Sequence, residues 1–322
     1  MTKEELAILT TFSYVELFDY PLTASEILAY YVSDSPLARG DLETALARLI
    51  DQGVIFRDPL LGLHSFPDKV YIIERRLERA VSSSKLMKKA RWVARCLSFF
   101  PGVRLVAVTG SLASLNSTAD DDIDLMVITT HGRLWLTRAL VFGVLKALKL
   151  KRGDRQVPGG AVCINVWMEE GDLLMGNKDQ DLVIAFDVAR AQVLLDKGGL
   201  WEKMIRANSW VFDLLPGFLS RLSAAPSLTK LLPTWLVPLL PIRALVGWIL
   251  DRLETVFYKA QLAIIKRKFP NNPYIKVGPH RLWQHPTNTR GKILLRFEEN
   301  RHQRLGSPVT VGGLLTTEAS FV

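Results

Sequence analysis

Two acids separated by one residue, Asp122 and Asp124, stand at the start of an apolar run that ends at Ile128. A Gly-Ser pair, Gly110-Ser111, precedes them with ten residues between. Residues two apart on a strand point to the same face, so the two carboxylates lie side by side while Ile123 and Leu125 face the other way into a core. Carboxylates held close repel each other and cost stability unless something positive sits between them. A hard cation such as Mg²⁺ does this, and it keeps waters and substrate phosphates as its other ligands. Mn²⁺ suits the same oxygen donors. Gly110 permits close backbone approach, and the amides of a turn and helix start can meet an anion. A phosphate cradle beside a metal site is the equipment of phosphoryl or nucleotidyl transfer. The bland alternative is an acidic turn, Asp120 to Asp122, capping a structural strand. Asp124 inside an apolar strand is hard to explain that way, because burying a charge is costly.

The surrounding pattern supplies the elements that must position these groups. Leu105 to Val108 is a short apolar run suited to a buried strand. Leu112 to Leu115 is expected to start a short helix capped by Ser111. Asn116 to Asp121 is polar and turn-rich. Gly110-Ser111, the ten-residue spacer and Asp122-Ile123-Asp124-Leu125 together resemble the signature of the polymerase-beta-type nucleotidyltransferases. The resemblance implies an α/β core with a mixed sheet. It implies that Asp122 and Asp124 bind Mg²⁺ and that Gly110 and Ser111 contact the triphosphate of an NTP. It further implies a third carboxylate on a neighbouring strand, which binds metal and helps deprotonate the acceptor hydroxyl. The next strand, Ala161 to Met168, places Asn165 there instead. An amide can ligate through its carbonyl but cannot take a proton. Glu169, Glu170, Asp172 and His131 are the substitutes the sequence offers. The WEKMIRANSWVFDLLP stretch also resembles a segment of bacterial nucleotidyltransferase-like proteins that carry an N-terminal winged-helix-like region.

At 322 residues the chain is long enough for two or three domains with real cores. Apolar content of 48% and charged content of 23% are ordinary for a globular protein. Two cysteines, Cys96 and Cys163, offer no disulfide framework and suit a reducing, cytoplasmic setting. Both lie among apolar residues and are expected to be buried. The polar, acidic start is unlike a signal peptide. Net charge is +9, and from Asp251 onward there are 12 Lys or Arg against 5 Asp or Glu. Such a region suits an anionic partner such as RNA, nucleotide or a membrane surface, or is simply a solvated basic face.

Residues 1–67 read as three helices and a small hairpin, a winged-helix-like unit. Its third helix carries Arg39 and Arg48 against Asp41, Glu43 and Asp51, so interaction or dimerisation is expected rather than nucleic-acid reading. Residues 68–100 read as a basic helical connector, interrupted or re-capped at Ser82-Ser83-Ser84. Residues 101–217 form the expected nucleotidyltransferase core, with Leu134 to Leu150 as a core helix beside which Arg133 and Arg138 could reach a phosphate. Gln180 to Leu195 and Leu200 to Leu214 read as helices. Residues 218–305 read as a helical, basic C-terminal region. Its proline-broken apolar stretch, 231–250, either packs on the core or touches a membrane peripherally. Its Arg- and aromatic-containing tail could hold an RNA strand or a nucleotide base. Residues 306–322 read as a frayed tail.

Three functional classes follow. The first is Mg²⁺-dependent transfer of a nucleoside monophosphate from NTP to a hydroxyl of an RNA, a protein or a small molecule. The second is a nucleotide-binding or regulatory protein that keeps the fold without turnover, favoured by Asn165. The third is a membrane-associated partner protein, favoured by 231–250.

Overall fold

Thr2 opens the first helix with a reciprocal cap. Its hydroxyl accepts from the Glu5 amide at 3.3 Å, and the Glu5 carboxylate accepts from the Thr2 amide at 2.8 Å. That helix is α1 (Lys3–Val15), and Thr23 with Glu26 starts α2 (Ala24–Ala29) in the same way. α3 (Arg39–Asp51) follows. Strands β1 (Leu22–Thr23), β2 (Phe56–Arg57) and β3 (Leu63–Ser65) pair antiparallel in the order β1-β3-β2. Two-residue strands carry little sequence signal, which is why β1 is not legible before the pairing is known.

The chain is described by a computed structural model over residues 1–150, 159–218, 240–285 and 287–306. The loop expected from Lys151, most of the proline-broken run and the tail beyond Gly306 lie outside the described residues. Among the described residues no helix is long and apolar enough to cross a membrane.

α4 (Ile72–Leu97) runs unbroken through the three serines. Ser83 is fully buried, and its hydroxyl accepts from the Ser117 amide at 2.9 Å. The serine run is therefore an anchoring point for the 116–121 loop and not a helix break. The basic residues of the first half of α4 are committed to the N-terminal unit. Arg75 pairs with Asp19 at 2.7 Å, and Arg76 grips Glu26 with two hydrogen bonds of 2.8 Å.

The second sheet holds six strands in the order β7-β4-β5-β6-β9-β8. They are β4 (Val103–Val108), β5 (Ile123–Thr129), β6 (Val162–Glu169), β7 (Gln192–Asp196), β8 (Ile275–Val277) and β9 (Arg281–Gln284). β5 and β6 are parallel and every other pairing is antiparallel, so the sheet is mixed. Alternation sorts its side chains. Val106, Val108, Leu125 and Val127 face a core with Ala90, Val93 and Leu97 of α4. Trp135 and Val141 of α6 (Leu134–Ala147) join the same core. Leu105, Ala107, Met126 and Ile128 face the other core. That core also takes in α1 to α3, α7 (Leu182–Arg190), α8 (Leu200–Ala207), α9 (Val211–Leu214) and Phe297 of α11 (Thr289–Leu305). Tyr14 of α1 stacks on Phe186 of α7 at 4.0 Å, so the N-terminal unit shares its interior with the sheet.

Two expectations are corrected here. Gln180 to Leu195 is not one helix: Ala191, at φ −52° and ψ 134°, leaves the helical region, and Gln192–Asp196 joins β4 as an edge strand. Short apolar runs do not separate helix from strand by periodicity. The second expected helix breaks at Asn208, whose buried side chain accepts from the Met175 amide and donates to the Leu173 and Met204 carbonyls, all at 2.8 Å. Three arginines of the basic tail are ion-paired. Arg281 pairs with Asp172, Arg290 with Asp179 and Asp181, and Arg304 with Glu16 and Asp68. Trp283 is buried against the core rather than open to a base.

α6 has no cap of its own. Glu254, from the long helix α10 (Leu240–Lys268), accepts from the Trp135 amide at 2.7 Å and the Leu136 amide at 2.8 Å. A carboxylate there satisfies two orphan donors and meets the positive end of the helix dipole. Glu254→Ala is expected to lower unfolding stability by about 1–2 kcal/mol, read as a lower urea midpoint at unchanged slope.

Candidate active site

β4 delivers the chain to Thr109, and the turn places Gly110 at φ +65°, a conformation that costs any other L residue. A Cβ on Gly110 would lie 2.7 Å from Asp124 Oδ2, so only glycine lets the backbone pass this close to the carboxylate. α5 is a single turn, Gly110–Ala113, and it starts one residue before Ser111. Thr109 holds the capping position without a side-chain bond. Ser111 is thus inside the turn. Its hydroxyl shares a hydrogen bond of 2.8 Å with the Ser117 hydroxyl and reaches Asp121 Oδ2 at 3.3 Å.

Asp121 organises the spacer. Its carboxylate accepts from the Thr118 amide at 3.0 Å and hydroxyl at 2.9 Å, and its carbonyl accepts from the Gly160 amide at 2.8 Å. The acidic turn therefore has a structural member, Asp121. Asp124 lies on the sheet face of Met126 and Ile128, while Ile123 and Leu125 are buried on the opposite face, and Asp122 immediately precedes the strand.

Asn165 meets Asp124 directly. Its amide donates to Asp124 Oδ1 at 2.7 Å, and its carbonyl oxygen accepts from the Cys163 thiol at 2.8 Å. The pairing of β5 with β6 shifts at this point, from Leu125 opposite Ile164 to Met126 opposite Val166. Such a bulge re-aims a side chain, and here it keeps Asn165 on the Asp124 side while Trp167 enters the other core. Cys163 is half-buried beside this pair and not buried in an apolar core as expected.

The other expected acids lie elsewhere. Asp124 pairs in register with Cys163, near the start of the parallel strands, whereas Glu169 closes β6 opposite Thr129. Five residues of strand separate the two positions by about 17 Å. Glu169, Glu170, Asp172 and His131 thus gather at the far end of the sheet. Arg133 pairs with Asp251 at 2.6 Å. Arg138 is buried against Phe142 at 4.2 Å and donates to Gln261 and Gln284, with burial pushing its guanidinium pKa down. Neither arginine is placed for a phosphate at Asp124.

One carboxylate absent from the sequence reading does reach this site. Asp187 lies on α7, which packs over the face that carries Asp124. Asp187 is exposed to solvent, and its carboxyl lies within electrostatic range of Arg190, Asp181 and Asp124. Desolvation pushes it up to about 6; Arg190 opposes this, and the negative charges of Asp181 and Asp124 add to it. The charge of Asp124 is therefore felt at Asp187. Arg190 itself sits among the rings of Phe186, Tyr30, Tyr20, Phe18 and Tyr14 at 4.8–6.0 Å. No sequence spacing announces Asp187, because it arrives on a separate helix. Its one local sign was an acid in an otherwise apolar stretch.

The loop is also tied to the N-terminal unit. The Phe18 carbonyl accepts from Asn116 at 2.8 Å and from Arg79 at 3.1 Å, and Arg79 donates to Asn116 Oδ1 at 3.2 Å. Gly110→Ala is expected to cost about 1–3 kcal/mol of stability, from the left-handed backbone and the contact with Asp124. A urea titration measures the loss.

The arrangement offers carboxylate oxygens on one strand, a glycine turn against them and a carboxyl with a raised pKa across the face. No protein-family model, curated protein or solved structure matches the chain.

Proposed function

We propose that the site binds Mg·NTP and transfers a nucleoside monophosphate to an acceptor hydroxyl, releasing pyrophosphate. The observation that carries this reading is the packing of Gly110 against Asp124, two residues after Asp122, on a strand face overlooked by Asp187. The strand–turn–helix–strand order from Val103 to Thr129, with β6 parallel beside β5, supports reading residues 101–217 as a polymerase-beta-type nucleotidyltransferase core. The order helix, strand, two helices, hairpin over residues 1–67 supports a winged-helix-like unit, whose acidic α3 suits a protein partner or a second copy better than nucleic acid.

The donors fit Mg²⁺: they are hard carboxylate oxygens, and the missing Cβ of Gly110 leaves room beside Asp124 Oδ2. Asp122 and Asp124 would hold it, and its charge would offset that of the reacting phosphates. Gly110 and Ser111 would line the triphosphate. The acceptor oxygen bonds to the α-phosphorus as the bond from α-phosphorus to the bridging oxygen of the β-phosphate breaks. Pyrophosphate leaves with that electron pair. Asp187, with a pKa near neutrality, takes the acceptor proton, which Asn165 cannot do. Asn165 instead orients Asp124.

A second reading rests on the same Asn165 contact. An amide donating to Asp124 Oδ1 engages an oxygen that metal would use, which favours nucleotide binding without turnover. Calorimetric titration of the full chain with ATP, GTP, CTP and UTP in Mg²⁺ tests both. Binding with pyrophosphate release on addition of acceptor supports transfer, and binding alone supports the second reading. No binding of any NTP by the folded protein rejects both.

A further inference from the structure

At the far end of the sheet, three strand ends converge. His131 lies in the turn after β5, Glu169 ends β6, and His280 lies in the turn from β8 to β9. These strands are neighbours, β5 beside β6 and β6 beside β9. The His131 Nδ1 lies 3.2 Å from Glu169 Oε2, and the His280 Nδ1 lies 2.9 Å from the same oxygen. All three ligand atoms fall within 4.8 Å of one another. The two imidazole rings face each other at 5.6 Å and 18°.

We infer that His131, Glu169 and His280 form a second metal site, for Zn²⁺ or a similar borderline transition metal. The donor set decides the metal. Two imidazoles and one carboxylate suit Zn²⁺, whereas the oxygen donors near Asp124 suit Mg²⁺. Tetrahedral Zn²⁺ with bonds of about 2.0–2.1 Å holds its ligand atoms about 3.3–3.4 Å apart. The two spacings to Oε2 need adjustments of a few tenths of an ångström, and rotation of the two exposed imidazoles closes the gap between their nitrogens, which lie within 4.8 Å.

The backbone around the site is fixed. The Glu169 amide donates to the His280 carbonyl at 3.0 Å, and the Glu170 amide donates to the Thr129 carbonyl at 2.9 Å. Trp135 Nε1 holds the Pro279 carbonyl at 3.0 Å. Glu169 is 1% exposed, and its other oxygen accepts from the Leu134 amide at 3.3 Å, which leaves Oε2 turned to the histidines. Outer hydrogen bonds of this kind orient metal ligands. A Cβ on Gly171 would come 3.1 Å from His131 Nδ1, so glycine keeps that nitrogen clear. Both histidines are exposed, which leaves the fourth position to water. Metal here staples the C-terminal hairpin β8–β9 to the turn that leads into α6. This inference is independent of the nucleotide reading, since the two sites occupy opposite ends of β5.

The test uses the full chain, chelator-treated, titrated with Zn²⁺ by calorimetry and with Co²⁺ by visible absorption. One equivalent of Zn²⁺ should bind, with a tetrahedral Co²⁺ spectrum and a raised melting temperature. His131→Ala/His280→Ala should weaken Zn²⁺ by about 100-fold or more and abolish both signals. The single variant His280→Ala should weaken it by about tenfold or more. Both histidines are at the surface, and circular dichroism checks the fold. Asp122→Ala/Asp124→Ala should bind Zn²⁺ as the wild type does. Failure of the wild type to bind one equivalent would overturn the inference. So would undiminished binding by the double histidine variant, or loss of binding in the Asp variant alone.

Discussion

If the site binds Mg·NTP as proposed, Asp124→Ala is expected to weaken that binding by about 100-fold or more, while the protein stays folded. The size follows from the contacts of one carboxylate. It would offer an anionic ligand to the metal, and it faces the glycine turn through Oδ2 and receives the Asn165 amide through Oδ1. Removing it takes away the ligand and leaves the Asn165 amide without its acceptor, which alone costs about 1–3 kcal/mol. Asp122→Ala should weaken binding by about tenfold, as loss of one of two carboxylate ligands would. Calorimetry in Mg²⁺ and again in EDTA separates the effects. Equal affinities with and without Mg²⁺ would show that the carboxylates hold no metal, and affinity unchanged in Asp124→Ala would remove it from the site.

Asp187→Asn should lower turnover by about 10²–10⁴-fold with NTP affinity nearly unchanged. It should also make the protein more stable at neutral pH. The Asp187 carboxyl, pushed up to about 6, binds its proton more tightly in the folded chain than in the unfolded one, where it titrates near 3.8. Folding stability therefore falls as pH rises from about 4 to about 6 and stays lower above that. Asp181 and Asp124 add to this penalty, Arg190 reduces it, and Tyr14 lies in the same electrostatic neighbourhood. The variant escapes it, gaining about 1 kcal/mol at pH 7.5 after allowance for solvent screening at a carboxyl that water reaches, and nothing near pH 3.5. Urea titrations of both proteins at the two pH values measure this in the absence of Mg²⁺. A gain at pH 3.5 equal to that at pH 7.5 would assign the effect to packing and not to charge.

Much of the site's strand face is written locally. Asp122 and Asp124 could be placed on one side of a strand because the period of a strand is two and Ile123 and Leu125 needed a core. The helix caps at Thr2 and Thr23 are equally local, since each capping box lies within four residues of sequence. Asn165 was recognisable as the residue beside the acids, but the bulge that turns it there is a property of two paired strands. Asp187 depends on how α7 crosses the sheet, and the partners of His131 depend on which strands are neighbours. His280 carries no local signal, because its partners Glu169 and His131 lie far back in the chain. The basic tail shows the same dependence on long-range pairing. Net charge counts residues, whereas Arg290 and Arg304 are already answered by Asp179, Asp181, Glu16 and Asp68.

The meeting of α1 with α11 bears on how the chain is made. Asn300 donates to the Ser13 carbonyl at 2.6 Å, Arg304 pairs with Glu16 at 2.9 Å, and Phe297 meets Tyr14 at 5.5 Å. The first helix described is thus sealed by the last one described. Until residue 305 has emerged, the side of Tyr14 that Phe297 meets is uncovered, and the closure spans 288 residues between Glu16 and Arg304. Nascent chains arrested before α11 would keep that aromatic face open to chaperones and to one another, and the completed molecule would become resistant to protease in one late step.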